Sequence, residues 1–576
     1  MKRISGRKIF ISLSIIVVAC LSAGFFITQE TRDFRIAKNL DIFFSLFREL
    51  NRFYVDEVNP DKIIKTGIDN MLKSLDPYTV YYPESEADEF TLMTTGKYGG
   101  IGSLVRASGE YVTIVEVYRG FPADKAGIKP GDIIKSINGI PIKGVSTDNV
   151  SDRLKGNPGS DVVITIERNG IESDYTVKRE RIAIPPVPYY GMIDPETGYI
   201  RFTNFTQDCK QDVKKALVEL KARNARQIIF DLRGNPGGLL TEAVEIVNLF
   251  VGPGNNVVTT KGKIKDFTEE FKTTQAAVDE NIPVVIIINR ASASASEIVA
   301  GAFQDLDRGI ILGQRSFGKG LVQVTRPLSY NTHLKVTTAK YYIPSGRCIQ
   351  ALDFSNPNED GSVGIIPDSL ISEFKTKNGR IVKDGGGISP DVEVVPDQLS
   401  QVATELYLKN LIFDFATQYY WAHPNITKQS DFEFTDKDYS DFSNLLKERG
   451  FNYTTATETS FRRLIESAKR EKYYDLHKET FDAIEKDIAH NLDNDLILFR
   501  DEITELLEEE IISRYFYEAG SIEWSIKKDK QVLKALEILN DKEKYVSILS
   551  GKTEPVLVIN NEETGERNKT TGFISN

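Results

Sequence analysis

The chain has 576 residues, with 72 Lys and Arg against 83 Asp and Glu, and a formal net charge of −11. That length corresponds to several domains, and 40% apolar with 27% charged residues suits a globular body with ample core. The acidic balance argues against nucleic acid as a partner, because phosphate binding needs clustered Lys and Arg.

The first thirty residues read as a targeting element. Lys2, Arg3, Arg7 and Lys8 form a basic start, and an apolar run extends from Ile9 to Ile27. A cleavable signal has an apolar core of about 7–15 residues and a spanning helix needs about 20, so this run falls between the two. The basic end stays cytoplasmic and the remainder is exported, periplasmic or otherwise extracytoplasmic. An inner-membrane anchor, a lipoprotein signal at Val17-Val18-Ala19-Cys20 and simple secretion all fit. Of the three cysteines, Cys20 lies in this run. Cys209 and Cys348 remain as a pair whose meeting the sequence does not decide, and none of the three has metal-site spacing.

Residues 31–95 read as helical, with Ile36, Leu40, Phe43, Phe44, Phe47 and Leu50 at helical spacing and a break at Asp76-Pro77-Tyr78. Residues 96–180 form a small β-rich unit, punctuated by Tyr98-Gly99-Gly100-Ile101-Gly102 and by turns at Asn138-Gly139 and Asn169-Gly170. Residues 181–398 alternate strands and helices, which predicts an α/β layer architecture. The run Pro283–Ile288 is continuously apolar, as in a strand buried on both faces. Residues 399–576 carry helical stripes such as Ile503, Leu506, Leu507 and Ile511 and end in a polar stretch.

Three segments carry chemistry. Asn289-Arg290-Ala291-Ser292-Ala293-Ser294-Ala295-Ser296-Glu297 joins a strand to a helix and puts small hydroxyls where the free N–H groups of the helix start can stabilise an oxyanion. Ser294 and Glu297 also fit a capping box, so a serine here can serve the helix alone. Phe317-Gly318-Lys319-Gly320-Leu321-Val322-Gln323 places a lysine between glycines and apolar residues. A lysine in an apolar pocket loses solvation of its charged form, and the neutral amine can take a serine's proton; a solvated loop lysine is the alternative. Histidine is scarce, and His333, in the turn-like run Ser329–His333, is the one candidate imidazole base in the α/β region. Asp231-Leu232-Arg233-Gly234-Asn235-Pro236-Gly237-Gly238 follows a strand, and its bare glycine N–H groups can complete an oxyanion hole or simply form a tight turn. It matches neither dinucleotide nor P-loop spacing.

Together these segments resemble the C-terminal-processing, or tail-specific, serine peptidases. Tyr98–Gly102, Pro122–Gly127, Gly131–Ile134, Asp231–Arg233, Ser292–Glu297, Phe317–Gln323 and Pro344-Ser345-Gly346-Arg347 stand in family order across roughly residues 35–395. The resemblance implies an α/β, crotonase/ClpP-like peptidase core with an inserted PDZ-like domain and helical N- and C-terminal regions. It implies Ser294 as nucleophile, Lys319 as general base 25 positions on, and Gln323 as the residue that orients the lysine. Ser292 and Ser296 remain nucleophile candidates by composition; the resemblance selects Ser294. It further implies an oxyanion hole of the Ala295 N–H and one glycine, Gly237 ahead of Gly238. A peptide carboxylate would sit on Gly99, Gly100, Ile101 and Gly102, because PDZ domains add a peptide's end as an extra strand.

The implied activity is endopeptidase cleavage of extracytoplasmic proteins with exposed, apolar C-terminal tails, with no metal or cofactor. Membrane association through residues 9–27, a homo-oligomer or an adaptor are further expected partners. A non-catalytic PDZ-bearing scaffold is the rival from another class, and an acyl-CoA hydratase or hydrolase on a similar core is the rival enzyme.

Overall fold

The computed structural model describes residues 32–86, 91–92, 94–354, 363–552 and 556–558, so the targeting element and Cys20 lie outside the described residues. No helix among the described residues is long and apolar enough to cross a membrane. The chain divides at Tyr81 into two units.

The N-terminal unit holds helices Arg32–Phe53 and Pro60–Lys73. The second begins with Asn59 accepting from the Lys62 N–H and Pro60 in the first turn, where its missing N–H costs nothing. That helix ends by Ser74, and helix returns at residues 91–92 and 94–95. The Asp76 carboxylate then accepts from the N–H groups of Tyr78 and Thr79, which turns the chain at the predicted break.

In the second unit, the β-rich segment is a six-stranded antiparallel sheet. Its main path runs Ser103–Ser108, Tyr111–Val117, Ile133–Ile137, Asp161–Arg168 and Ile171–Lys178. Helix Thr147–Leu154 packs on it. Asn138-Gly139 and Asn169-Gly170 make the expected tight turns, all four residues having positive φ.

The α/β core is a seven-stranded sheet in the order Tyr189–Met192, Thr197–Arg201, Gln227–Asp231, Val284–Ile288, Ile310–Gly313, Val392–Val394, Val556–Val558. Its first pair is antiparallel and the others parallel. Helices Cys209–Ala222, Leu240–Val247 and Ala295–Asp305 cover one face. Tyr199, Ile229, Val285, Ile287 and Leu312 point to the other, where they meet Val532, Ala535 and Ile538 of helix Lys530–Asn540 and Ile548 of helix Lys542–Leu549. Helices Lys530–Asn540 and Lys542–Leu549, within the stretch after 399, therefore close the second face of the core. The continuous apolar strand at 284–288 requires such a cover.

The rest of that stretch is a helical body built on aromatic residues, including Phe415, Tyr419, Phe432 and Phe442. It also grips the β-rich domain. Tyr517, at a non-helical kink (φ 61°, ψ −169°), donates to Asp124 at 2.7 Å, and Arg168 lies 5.0 Å from the Trp421 ring centre.

A second sheet carries Leu321–Pro327, His333–Tyr342, Asn256–Gly262 and Glu269–Lys272. The first two form a hairpin turned by Tyr330 and Asn331 at positive φ.

Candidate active site

Strands Gln227–Asp231 and Val284–Ile288 pair in parallel, with Asp231 beside Ile287. Their C-terminal loops, Leu232–Leu239 and Asn289–Ser294, therefore emerge side by side, the usual place for chemistry in such sheets.

The three serines of the second loop do different things. Ser292 is fully buried; its hydroxyl donates to the Leu232 carbonyl at 2.8 Å and accepts from the Asn289 N–H. Ser296 is fully buried and donates to the Asn235 carbonyl at 2.9 Å, which also accepts from the Ala293 N–H. Both serines stitch the two loops together. Ser294 alone of the three lines a cavity of about 440 Å³, which it shares with Gly237, Gly238, Ala295, Lys319, Gln323, Lys335 and Tyr341. Leu239, Leu240, Ile298, Leu321 and Val322 make its apolar wall. Ser294 sits at φ 56°, ψ −113°, a backbone that a non-glycine residue holds only when its surroundings over-determine it.

Lys319 lies in the loop before the hairpin, and Gln323 at a register shift between Val322 and its neighbour. The extra residue at that shift is Thr338 of the facing strand; Gln323 Nε2 donates to Thr337 Oγ1 at 3.2 Å. His333 starts the second strand of the hairpin and is not among the cavity's lining residues.

Glu297 does more than cap a helix. Fully buried, its carboxylate accepts from the Ser294 and Lys319 N–H groups on Oε2, and from Ser316 Oγ and the Gly318 N–H on Oε1, all at 2.6–2.9 Å. Burial pushes its pKa up to about 7, against the opposing pull of those four donors.

The glycine turn is held by Asn235, whose Oδ1 accepts from the Gly237 N–H at 2.9 Å. A Cβ on Gly237 would come within 2.8 Å of both Ala295 N and Ser294 Cβ, so the close approach requires glycine. The expectation of Gly237 as an oxyanion donor meets an obstacle here: its N–H is already committed, and that use requires release from Asn235. Beneath the turn, Asp231 is fully buried between Arg201 and Arg233, and accepts from Tyr199. Burial raises its pKa, but Arg233 and Arg201 outweigh that and leave it at about 2. Arg233 reaches on to Asp529 and Gln531 of the C-terminal region.

Gly99, Gly100, Ile101 and Gly102 are not brought into the cavity. They lead directly into Ser103–Ser108, the edge strand of the β-rich sheet. A Cβ on Gly99 would lie 2.1 Å from the Gly156 carbonyl, and Gly102 has φ +76° beside Phe121. Cys209 and Cys348 are free thiols. No group of acidic, His and Cys side chains among the described residues could hold a metal.

The residues that sequence reasoning missed are Tyr341, Lys335 and Asn235. Strand alternation from His333 puts Lys335 and Thr337 on one face, but the extra residue Thr338 breaks the alternation before Ala339 and Tyr341, and nothing local says that these residues meet the serine loop. Burial pushes the Lys335 pKa down.

Family models for peptidase family S41, for a PDZ domain and for the C-terminal helical domain of probable PDZ-proteases match residues 196–369, 113–168 and 402–539. The carboxy-terminal-processing protease of Bartonella bacilliformis is 33% identical over 371 residues, 63% of this chain and 81% of that protein. The chain belongs to the carboxy-terminal-processing serine proteases of family S41. A probable CtpA-like serine protease of Staphylococcus aureus is 34% identical over 347 residues, 60% of this chain and 67% of its own. The solved photosystem II D1 C-terminal processing protease is 26% identical, with 61% of this chain and 92% of that one covered and a TM-score of 0.34. As a family member the chain is a serine endopeptidase with a PDZ domain, and its helical stretch after 400 is a domain that other PDZ-proteases carry.

Proposed function

We propose that this protease captures the C-terminal tails of extracytoplasmic proteins on its PDZ domain and cuts them with Ser294 as nucleophile and Lys319 as base. The observation that carries the catalytic part is the division of labour among the serines: Ser292 and Ser296 are spent on loop carbonyls, and Ser294 shares its cavity with Lys319 and Gln323. The neutral Lys319 amine takes the Ser294 proton as Oγ attacks the peptide carbonyl. The Ala295 N–H, first of its helix and so without an intrahelical acceptor, stabilises the oxyanion. Lys319 then hands the proton to the leaving amine, and water activated by the same lysine releases the acyl-enzyme. Leu239, Leu240 and Ile298 suit an apolar side chain next to the cut bond.

Tail capture is supported by the edge position of Ser103–Ser108, since strand addition needs an unpaired edge; Gly99 and Gly100 end the strand Lys97–Gly100, paired with Glu180–Ala183, and Ile101 and Gly102 link it to that edge. An extracytoplasmic site of action rests on the basic start and apolar run of residues 2–27.

Two unfolded substrates differing only in a free or an amidated C-terminal carboxylate test the tail reading. The free acid is expected to show a KM lower by about 10-fold, because the amide removes the charge that backbone N–H groups would hold. Equal KM values would remove the PDZ from the account and leave the chemistry intact.

A further inference from the structure

The two catalytic residues come from loops 25 positions apart, yet their main chains share the same two buried partners. Glu297 Oε2 accepts from the Ser294 N–H at 2.8 Å and from the Lys319 N–H at 2.9 Å. On the carbonyl side, the single hydrogen of the Tyr341 hydroxyl faces both the Lys319 carbonyl and, at 3.2 Å, the Ser294 carbonyl, as a shared donor. Both side chains are almost wholly inaccessible to solvent. They come from different layers: Glu297 from the first turn of the helix behind Ser294, Tyr341 from the far strand of the hairpin. Each peptide group beside the nucleophile is thereby tied to the matching group beside the base.

We propose that Glu297 and Tyr341 are positioning residues that hold the main chains of Ser294 and Lys319 as one unit. The proposal rests on the Ser294–Lys319 reading. Two features make such a device necessary. Ser294 holds a strained backbone at φ 56°, ψ −113°, which persists only while its neighbours enforce it. Lysine reaches its target through a flexible four-carbon stem, so the position of its main chain decides where the amine arrives. A displacement on the order of 1 Å at such a site can cost about 100-fold in rate. Glu297 extends the unit to the base loop through Ser316 Oγ and the Gly318 N–H, while the Phe317 N–H donates to the Ser292 carbonyl at 3.0 Å.

Glu297→Ala would bury four unpaired donors and is a poor test, because the fold itself would suffer. Tyr341→Phe removes one oxygen and is the decisive variant. In the detergent-solubilised full chain it is expected to lower kcat on an unfolded tailed substrate by about 10- to 100-fold. KM, the stoichiometry of tail-peptide binding and the thermal midpoint should stay near those of the parent. A residue that only stabilised the fold would lower the midpoint and leave the kcat of the folded fraction unchanged. Glu297→Gln is the second arm. Whichever way its amide turns, the NH2 end faces at least one backbone N–H, so kcat should fall again with KM retained. A Tyr341→Phe enzyme with kcat within about twofold of the parent would overturn the proposal. Ser294→Ala and Lys319→Ala, run beside it, separate the failures: if they are inactive and Tyr341→Phe is not, the clamp alone falls. If Lys319→Ala keeps its activity, the dyad reading falls first.

Discussion

Lys319→Ala and Ser294→Ala are each expected to lower turnover of an unfolded protein with an apolar C-terminal tail by about 10⁴-fold or more, and the double variant by little beyond that. The reason for the non-additivity is that the two groups act in one step: without the amine the hydroxyl keeps its proton, and without the hydroxyl the amine has nothing to activate. Binding of a tail peptide should be unchanged in both, because Gly99–Gly102 and the edge strand after them are no part of the cavity that Ser294 lines. Steady-state cleavage and peptide titration on the same preparations check this. Lys335→Ala belongs in the same series. Lys335 lines the same cavity and burial lowers its pKa, so it is the other amine there with a claim to act as base. If Lys335→Ala is inactive and Lys319→Ala is not, the base is Lys335. The geometry favours Lys319, because Glu297 and Tyr341 tie its main chain to that of Ser294.

The second large effect concerns stability. Asp231→Asn keeps the shape of the side chain and removes the charge that Arg201 and Arg233 share. Breaking a buried pair from one side costs about 3–5 kcal/mol, because the remaining charges stay in place without compensation. The pH dependence has a definite sign. Asp231 titrates at about 2 in the folded chain and near 3.9 when unfolded. Its contribution is thus present in full above about pH 4 and disappears as the pH falls through about 4 towards 2; this shift alone amounts to about 2–3 kcal/mol. Chemical denaturation of parent and variant at pH 7 should differ by the full amount, and the two curves should converge as the pH drops below 4. A constant difference down to pH 2 would mean that Asp231 is not held by its arginines. Activity should fall along with stability, because Arg233, which Asp231 holds, stands at the start of the loop that leads to the Gly237 turn.

Much of this molecule was legible in order along the chain. The Asn-Gly turns, the strand at 284–288 and the helix behind Ser294 need only local chemistry: positive φ at glycine and asparagine, apolar runs, and free N–H groups at a helix start. Those signals depend on neighbours in sequence, so the sequence by itself determined the element order, the α/β class of the core and the short set of groups able to do acyl transfer. The choice among Ser292, Ser294 and Ser296 was different in kind. The three are alike in composition and spacing, and what separates them is that two hydroxyls meet the carbonyls of Leu232 and Asn235, about 60 residues upstream.

Other features were decided only when distant segments met. Glu297 read as a capping residue, and its Ser294 N–H contact is present. Its contacts with Gly318, Lys319 and Ser316 exist because the base loop folds over the helix start. Tyr341 carried no signal beyond strand alternation. The region after 399 read as a helical extension, yet Val532, Ala535 and Ile538 seal the face of the core sheet built by Ile229, Val285 and Ile287. An apolar strand announces that both its faces must be covered. It does not say by what, because burial is satisfied by any apolar surface of the right shape and the chain can supply that surface from hundreds of residues away.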